Sequence, residues 1–317
     1  MWPRPKMNNL NWLRPVGGAC LACVLAGCEF ALSPIPDTVP ETAPPPEASA
    51  ESRAFAAYYS AVQDRLLADG LLRTDGGGPD SPITAASLAT NFERIALFDE
   101  YALSGGQFVA RETPSVLRRW DAPVRLQAHF GASVDAVTRS RDRTFLAAYA
   151  RRLARITGHS VSTTNQGGNF HVLYLNRDEQ LNAAALLQDL VPGIGPETVR
   201  EITRLPRFTF CSVYAFSEAG AEATYVTAIA VIRTEHPELL RRSCVHEEIA
   251  QGLGLPNDSP AARPSIFNDD EEFAYLTDHD ELLLQMLYDR RLTPGSAADE
   301  ARPVIRQIAE ELLGGSS

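Results

Sequence analysis

The sequence contains a single lysine, Lys6, among its 317 residues. Because no lysine follows position 6, no lysine in the rest of the chain can serve as a Schiff base or a general base. The sequence also has neither a G-x-S-x-G nucleophile motif nor a phosphate-binding loop. The short glycine run 193–196 follows a predicted helix rather than a strand, so it predicts a turn. Serine-hydrolase and nucleotide-binding functions therefore have no support.

Basic residues are in deficit, with 29 Lys and Arg against 40 Asp and Glu, which gives a net charge of −11. Loss of an N-terminal segment with Arg4, Lys6 and Arg14 would remove three positive charges and leave −14. Contacts with phosphates need a basic surface, so the composition argues against nucleic acid as a partner. A hydrophobic fraction of 44% and this length suit one large domain or two small ones with a sizeable core.

Long apolar runs are also lacking: the run 16–27 is too short to span a membrane as a stable helix. Basic residues precede it, which is typical of a signal peptide, here predicted over residues 1–27. The run ends in Leu25-Ala26-Gly27-Cys28, which resembles a bacterial lipobox. The resemblance implies that Cys28 is lipidated and anchors the protein to a membrane on the periplasmic side. An ordinary secretory peptide with an accidental cysteine is the alternative.

The segment 28–50 contains six prolines among Ala, Glu, Thr and Ser, which predicts a stiff, solvated tether. Glu29 follows the cysteine where an aspartate would imply retention in the inner membrane, so the lipobox resemblance implies the outer membrane.

Only two cysteines, Cys211 and Cys244, remain after the three of the leader. Outside the cytoplasm two remaining cysteines usually pair. We predict a disulfide that joins a strand to the start of a helix, with two unrelated buried thiols as the alternative.

Periodicity predicts an α+β fold with a mixed sheet, backing helices and one helix that carries a candidate active site. Helices are predicted over 53–72, 141–157, 178–190, 237–255 and 298–313, strands over 120–130, 169–176, 208–216 and 224–232, and either state over 88–101. We divide the chain after the tether into an N-terminal helical lobe (51–117), a central domain (118–296) and a C-terminal helix (297–317).

The segment 244–258 has the pattern of a metal-binding helix. Glu247 and Gln251 are four residues apart, so they share one helix face. Gly254-Leu255-Pro256 then ends the helix. Asn257 and Asp258 follow this bend and are expected to fold back toward Glu247 and Gln251.

This segment resembles the metzincin motif H-E-x-x-H-x-x-G-x-x-H, in which three histidines bind zinc. Glu247, Gln251 and Asn257 fall on the histidines, whereas Glu248 falls on the catalytic glutamate. Downstream, Pro264-Ser265-Ile266-Phe267 resembles the Met-turn of the matrixin branch, with Ile266 in place of methionine. The resemblance implies a metzincin-like central domain for 118–296.

The chain is also similar to an uncharacterised bacterial secreted family, domain of unknown function 2927. The similarity lies in three segments: the Ser-Cys-x-His-Glu-Glu run that starts at Ser243, the Leu-Gly-Leu-Pro-Asn-Asp turn that starts at Leu253, and the Leu-Tyr-Asp-x-Arg-Leu-x-Pro-Gly ending that starts at Leu287.

Three hypotheses follow for the motif helix. In a pseudopeptidase, the cleft binds an envelope polypeptide or glycan without cutting it. In an active metallohydrolase, Glu248 is the general base and Glu247, Gln251 and Asn257 or Asp258 hold a divalent metal, although oxygen ligands suit harder ions than zinc. In a purely structural interpretation, the two glutamates form a solvated helix face. A calcium site in the acidic run 269–272 is a further alternative to a solvated loop.

Overall fold

Helices alternate with the strands of a mixed sheet along this chain. A computed structural model describes residues 46–104, 107–218, 220–268 and 270–314, with side chains left undescribed over 100–110. The predicted signal peptide, the lipidation site Cys28 and nearly all of the tether lie outside the described residues, as does Asp269 of the acidic run. Residues Pro44–Ser317 group into one unit by their contacts.

The helices are α1 (Ala50–Ala68), α2 (Ala85–Ala96), α3 (Ala136–Thr157), α4 (Arg177–Leu181), α5 (Ala184–Leu190), α6 (Pro196–Arg204), α7 (Glu238–Gly254), α8 (Asp278–Leu287) and α9 (Ala298–Gly314). The strands are β1 (Phe98–Ser104), β2 (Gln107–Pro114), β3 (Arg119–Trp120), β4 (Val124–Phe130), β5 (Val161–Thr163), β6 (Phe170–Leu175), β7 (Cys211–Ser217) and β8 (Thr224–Arg233). None of the helices in the described ranges is long and apolar enough to cross a membrane.

Six strands form the main sheet, in the order β3-β8-β6-β4-β5, and β7 pairs with β8 as well. All of these pairs are parallel except β7 with β8, in which Cys211 lies opposite Ile232 and Ala215 opposite Ala228. Residues 228–233 of β8 already pair with β6 along one side. The antiparallel strand β7 therefore lies along the other side of β8, at the edge of the sheet. The α+β class with a mixed sheet is confirmed.

Both faces of the sheet are covered, which explains why every residue of β6 is buried. One face packs on α3 and α7, and α2, α8 and α9 add residues to the same larger apolar cluster, to which Phe170, Val172 and Ala228 belong. The opposite face packs on α5 and α6 through residues such as Leu173 and Ile229. As a result, α7 and α6 lie on opposite faces of the sheet.

Several predicted elements have different bounds in the structure. The predicted strand 120–130 is two strands, because Pro123 has no N–H with which to continue the ladder. The predicted helix 178–190 is two short helices, α4 and α5, and α6 was not predicted at all. The predicted N-terminal lobe contains the hairpin β1–β2 as well as α1 and α2. Helices α2 and α9 contribute buried apolar residues to the same cluster as the sheet.

Gly254 ends α7 in a conformation that other residues rarely adopt, with φ at 130°. A Cβ atom at this position would also overlap the carbonyl oxygen of Arg118. We expect Gly254→Ala to lower the free energy of unfolding by roughly 3 kcal/mol, through backbone strain and overpacking. Urea titration measures this change.

Gly314→Ala is the matched control, because a Cβ atom at this helical position meets nothing within 4 Å. It should change stability by no more than about 0.5 kcal/mol. Equal stability of the two variants would contradict the proposed need for glycine at the end of α7.

Candidate binding cleft

A cleft of about 1540 Å³ runs along the edge strand β7. Residues 211–216 of β7 line it, and the walls come from α6 on one side and α7 on the other. Because α6 and α7 pack on opposite faces of the sheet, the outer edge of β7 lies between the two walls. The cleft therefore combines the edge of the sheet with side chains from both of its faces.

Helix α7 presents one stripe of side chains to the cleft. Leu240, Cys244, Glu247, Glu248 and Gln251 line the cleft at helical spacing. Val245, Ile249 and Leu253 on the opposite stripe are buried in the larger apolar cluster. The apolar stripe thus fixes the rotation of the helix, and the predicted site residues of α7 face the cleft as a consequence.

Aromatic side chains hold α7 through its backbone carbonyl groups. Trp120 Nε1 donates to the carbonyl oxygen of Gly252 at 2.8 Å, and the Tyr149 hydroxyl donates to that of His246 at 2.7 Å. The Tyr288 hydroxyl donates to the carbonyl oxygen of Leu253 at 3.1 Å. The bonds to Gly252 and Leu253 satisfy carbonyl groups in the last turn of the helix, and all three bonds fix the position of the cleft wall.

The turn after α7 returns Asp258, but not Asn257, to the cleft. Gln251 Nε2 donates to Asp258 Oδ1 at 3.1 Å, and Asp258 lines the cleft. Asn257 is buried and donates instead to the carbonyl oxygen of Arg94 at 2.9 Å, at the end of α2. Of the two turn residues expected near Glu247 and Gln251, Asp258 lies beside Gln251, whereas Asn257 anchors the turn.

His246 lies away from the cleft, although it precedes Glu247. Its ring stacks between Tyr149 and Tyr275, and Nδ1 accepts a hydrogen bond from the Leu276 N–H at 3.1 Å. Burial lowers the pKa of His246 well below its ordinary value of 6.5. The imidazole is thus neutral and fully used in packing.

The disulfide between Cys211 and Cys244 is confirmed, with an S–S distance of 2.06 Å. It joins the start of β7 to α7 and forms part of the cleft lining. Carboxylate oxygens of Glu247 and Glu248 and the Cys211 sulfur all lie within 4.8 Å of one another. Since this sulfur is in a disulfide, it supplies no thiolate ligand.

The available donors do not fit a zinc site. Glu247, Glu248, Gln251 and Asp258 offer only oxygen atoms or an amide, whereas protein zinc sites are built mainly from imidazole and thiolate. Gln251 also uses its amide nitrogen on Asp258. These donors therefore do not supply a zinc-dependent catalytic step.

A buried aspartate holds the segment 264–267, for which the sequence predicted a Met-turn. Asp280 is fully buried and accepts from the Ser265 hydroxyl at 2.6 Å and from the Ile266 N–H at 3.1 Å. Ile266 belongs to the larger apolar cluster and is absent from the described lining of the cleft.

The acidic run 269–272 is partly neutralised, because Glu272 forms ion pairs with Arg73 and Arg263.

Sequence reasoning missed the second wall of the cleft. Glu201 of α6 accepts a hydrogen bond from the Tyr214 hydroxyl of β7 at 3.2 Å, and burial raises the pKa of Glu201. Phe208, in the loop between α6 and β7, is 75% exposed and lines the cleft. The period of two in β7 was visible in the sequence, but its place at the sheet edge was not.

Hydrogen bonds from α1 and from the end of β8 hold the loop that contains Phe208. The Tyr59 hydroxyl donates to the carbonyl oxygen of Arg207 at 2.8 Å. The buried guanidinium of Arg233 donates to the carbonyl oxygens of Leu205 and Pro206, both at 2.9 Å. These bonds fix the loop backbone just before Phe208 and so restrict the position of its exposed ring in the cleft.

No curated protein and no solved structure matches the chain. The profile of a family described as "Protein of unknown function (DUF2927)" matches residues 85–307. This match covers the sheet, α7, the turn after it and most of α9, and leaves α1 outside. With more than half of its length matched, the chain belongs to the DUF2927 family.

Proposed function

We propose that this protein is a pseudopeptidase whose cleft binds an extended polypeptide segment by adding it as a strand to β7. The observation that carries the proposal is the position of β7 between the walls α6 and α7. Among the described strands, β7 pairs only with β8. No second strand of the described ranges lies along its outer edge, which is the arrangement of strand-adding binding sites.

The order of the elements around the cleft supports a peptide rather than a glycan as the ligand. A parallel strand, β8, leads directly into the helix with Glu247 and Glu248, and an antiparallel edge strand lies beside it. An extended backbone is the natural complement of an open strand edge, because each added residue can form ladder hydrogen bonds. A sugar chain has no such repeat of donors and acceptors.

Phe208 is the proposed aromatic anchor of the site. An exposed phenylalanine at the mouth of a cleft is typical of an interaction site, because its burial on binding removes a large apolar surface from water. We expect Phe208→Ala to weaken peptide binding about tenfold or more and to leave the stability of the fold nearly unchanged.

Amide hydrogen exchange followed by mass spectrometry tests the strand addition. A ten-residue peptide of alternating Thr and Val should slow exchange in residues 211–217. About every second amide of that strand should be affected, since outward-facing groups alternate in an antiparallel strand. Protection should be weaker in the variant Phe208→Ala. It should be unchanged in the control Leu67→Ala, because Leu67 is also an exposed apolar residue but lies outside the cleft lining.

Binding of the peptide without protection of β7 would overturn strand addition. Protection of β7 by glycan fragments, but not by peptides, would overturn the choice of ligand. Cleavage of the peptide, lost in Glu248→Gln, would replace binding with the alternative of an active hydrolase.

A further inference from the structure

We infer that the Cys211–Cys244 disulfide is a site of thiol–disulfide exchange, in which a thiolate that enters the cleft attacks the Cys211 sulfur and Cys244 leaves as a thiolate beside His236. The inference goes beyond the proposed function and does not depend on strand addition. It rests on the different surroundings of the two sulfur atoms and on the contact that His236 makes with one of them.

The two sulfur atoms differ in their access from the cleft. Both cysteines line the cleft, but Cys211 is partly exposed at the start of β7, whereas Cys244 is only 1% exposed within α7. An attacking thiolate must reach the sulfur atom with which it forms the new bond. Access therefore favours attack on Cys211, which makes Cys244 the leaving group.

His236 lies beside the leaving sulfur. Its Nδ1 is 3.7 Å from Cys244 Sγ, and in the tautomer with a proton on Nδ1 the ring donates to that sulfur. The side chain is 2% exposed, and no described residue gives its Nε2 a hydrogen-bond partner. Sulfur is a weak acceptor, so this buried imidazole is poorly satisfied while the disulfide is intact.

Cleavage of the disulfide changes the contact between His236 and Cys244. A thiolate at Cys244 is a charged acceptor, so the N–H of His236 then forms a charge-assisted hydrogen bond. Burial and the charges of Arg233 and Arg241 lower the pKa of His236 well below 6.5. Asp142 pairs with Arg241, so Arg233 is the larger of the two influences. Positive charge near a cysteine stabilises its thiolate, and the surroundings of Cys244 therefore suit a leaving group.

The exchange step conserves atoms and electrons. The incoming thiolate forms a bond to the Cys211 sulfur, and the bond between the two cysteines breaks with its electron pair on Cys244. The products are a mixed disulfide at Cys211 and a thiolate at Cys244, to which His236 donates. The incoming thiol is thus the reductant of the protein disulfide.

Peptide mapping by mass spectrometry tests the inference with the full chain. The protein reacts either with reduced glutathione or with a ten-residue peptide of Thr and Val that has one central cysteine, and acid quenching and alkylation of free thiols follow. Mapping separates positions 211 and 244 from the three cysteines of the leader. We expect the incoming thiol on Cys211 about tenfold more often than on Cys244. Faster reaction of the peptide identifies a polypeptide as the source of the thiol, and faster reaction of glutathione identifies a small thiol.

The variant His236→Phe tests the donor to the leaving sulfur. It keeps an aromatic ring against Tyr59 and Phe210 but removes the N–H. Cleavage of the disulfide should slow about tenfold, because the leaving thiolate loses a charge-assisted hydrogen bond. The preference for Cys211 should remain, since access to the two sulfur atoms is unchanged.

Gly254→Ala is the control for a loss of stability. Unfolding exposes both sulfur atoms, so a destabilised variant should be cleaved faster and with a weaker preference for Cys211. The two variants therefore shift the rate in opposite directions, and a general loss of packing cannot imitate the loss of the donor.

Equal modification of Cys211 and Cys244 would overturn the assignment of the attacked sulfur. An unchanged or higher rate in His236→Phe would overturn the role of His236. A disulfide that resists both thiols in the folded chain would overturn the exchange site itself, whereas the proposed strand addition would still stand.

Discussion

The free energy of unfolding should fall by about 4 kcal/mol between pH 7.5 and pH 5.5, because three buried histidines are neutral in the fold. His236 and His246 are 2% and 4% exposed, and burial lowers the pKa of each well below 6.5. Burial, together with the adjacent His129, lowers the pKa of His171 to about 4. Each histidine binds a proton in the unfolded chain near pH 6.5 but not in the fold.

The direction follows from this difference in proton binding. A group whose pKa is lower in the fold takes up its proton first in the unfolded chain, so acid favours unfolding. The stability is fully present above pH 6.5 and decreases as the pH falls toward the folded pKa values. Burial raises the pKa of Asp142 and Glu235, and these carboxyl groups oppose the loss at lower pH. The loss of stability caused by the histidines is therefore clearest between pH 7.5 and pH 5.5.

Urea titrations at several pH values measure this slope. His236→Gln should reduce it by about a third, even if the variant is less stable at pH 7.5, because one of three titrating groups is removed. Leu67→Ala, at an exposed position with no titratable side chain, is the control and should leave the slope unchanged. Equal unfolding free energies at pH 7.5 and 5.5 would show that these histidines are not buried in their neutral form.

Removing the disulfide should cost roughly 3–4 kcal/mol of stability in the chain-entropy model, since Cys211 and Cys244 are 33 residues apart. We expect this loss in the Cys211→Ala/Cys244→Ala double variant, measured by thermal and urea unfolding. The bond also ties the first residue of β7 to α7. In the double variant, amide exchange near residue 211 should therefore accelerate more than amide exchange in β6.

A reductant supplies the control for the disulfide prediction. Incubation with a phosphine should lower the stability of the unaltered protein to that of the double variant and should leave the double variant unchanged. If the double variant kept full stability, the bond would not constrain the unfolded chain, and the chain-entropy argument would be wrong for this protein.

The candidate site was predictable where a single helix decides the geometry. The spacing of Glu247 and Gln251 placed them on one helix face, and the glycine and proline after them predicted the turn. Which residue of the turn returns to the cleft was not predictable. Backbone and side-chain bonds of Asn257 to the end of α2 decide this, and α2 is more than 150 residues away in the sequence.

The opposite wall shows the same limit on a larger scale. Glycine and proline in 193–196 predicted a turn, and Pro196 in fact begins α6, a position that suits proline. Glu201 and Phe208 carry no motif, so no local pattern marked them. They become part of a site only because α6 packs on the face of the sheet opposite α7.

The sequence by itself determined the class of fold, the main strands, the bounds of α7 within about one residue and the pairing of the two cysteines. These features depend on periodicity, on turn residues and on the small number of cysteines, all of which are local or countable properties. The tertiary structure alone decided that β7 is an edge strand, that acidic side chains flank it from both faces and that Asp258 rather than Asn257 reaches the cleft. Each of these depends on the pairing order of strands and on contacts between distant segments, which no stretch of the chain encodes separately.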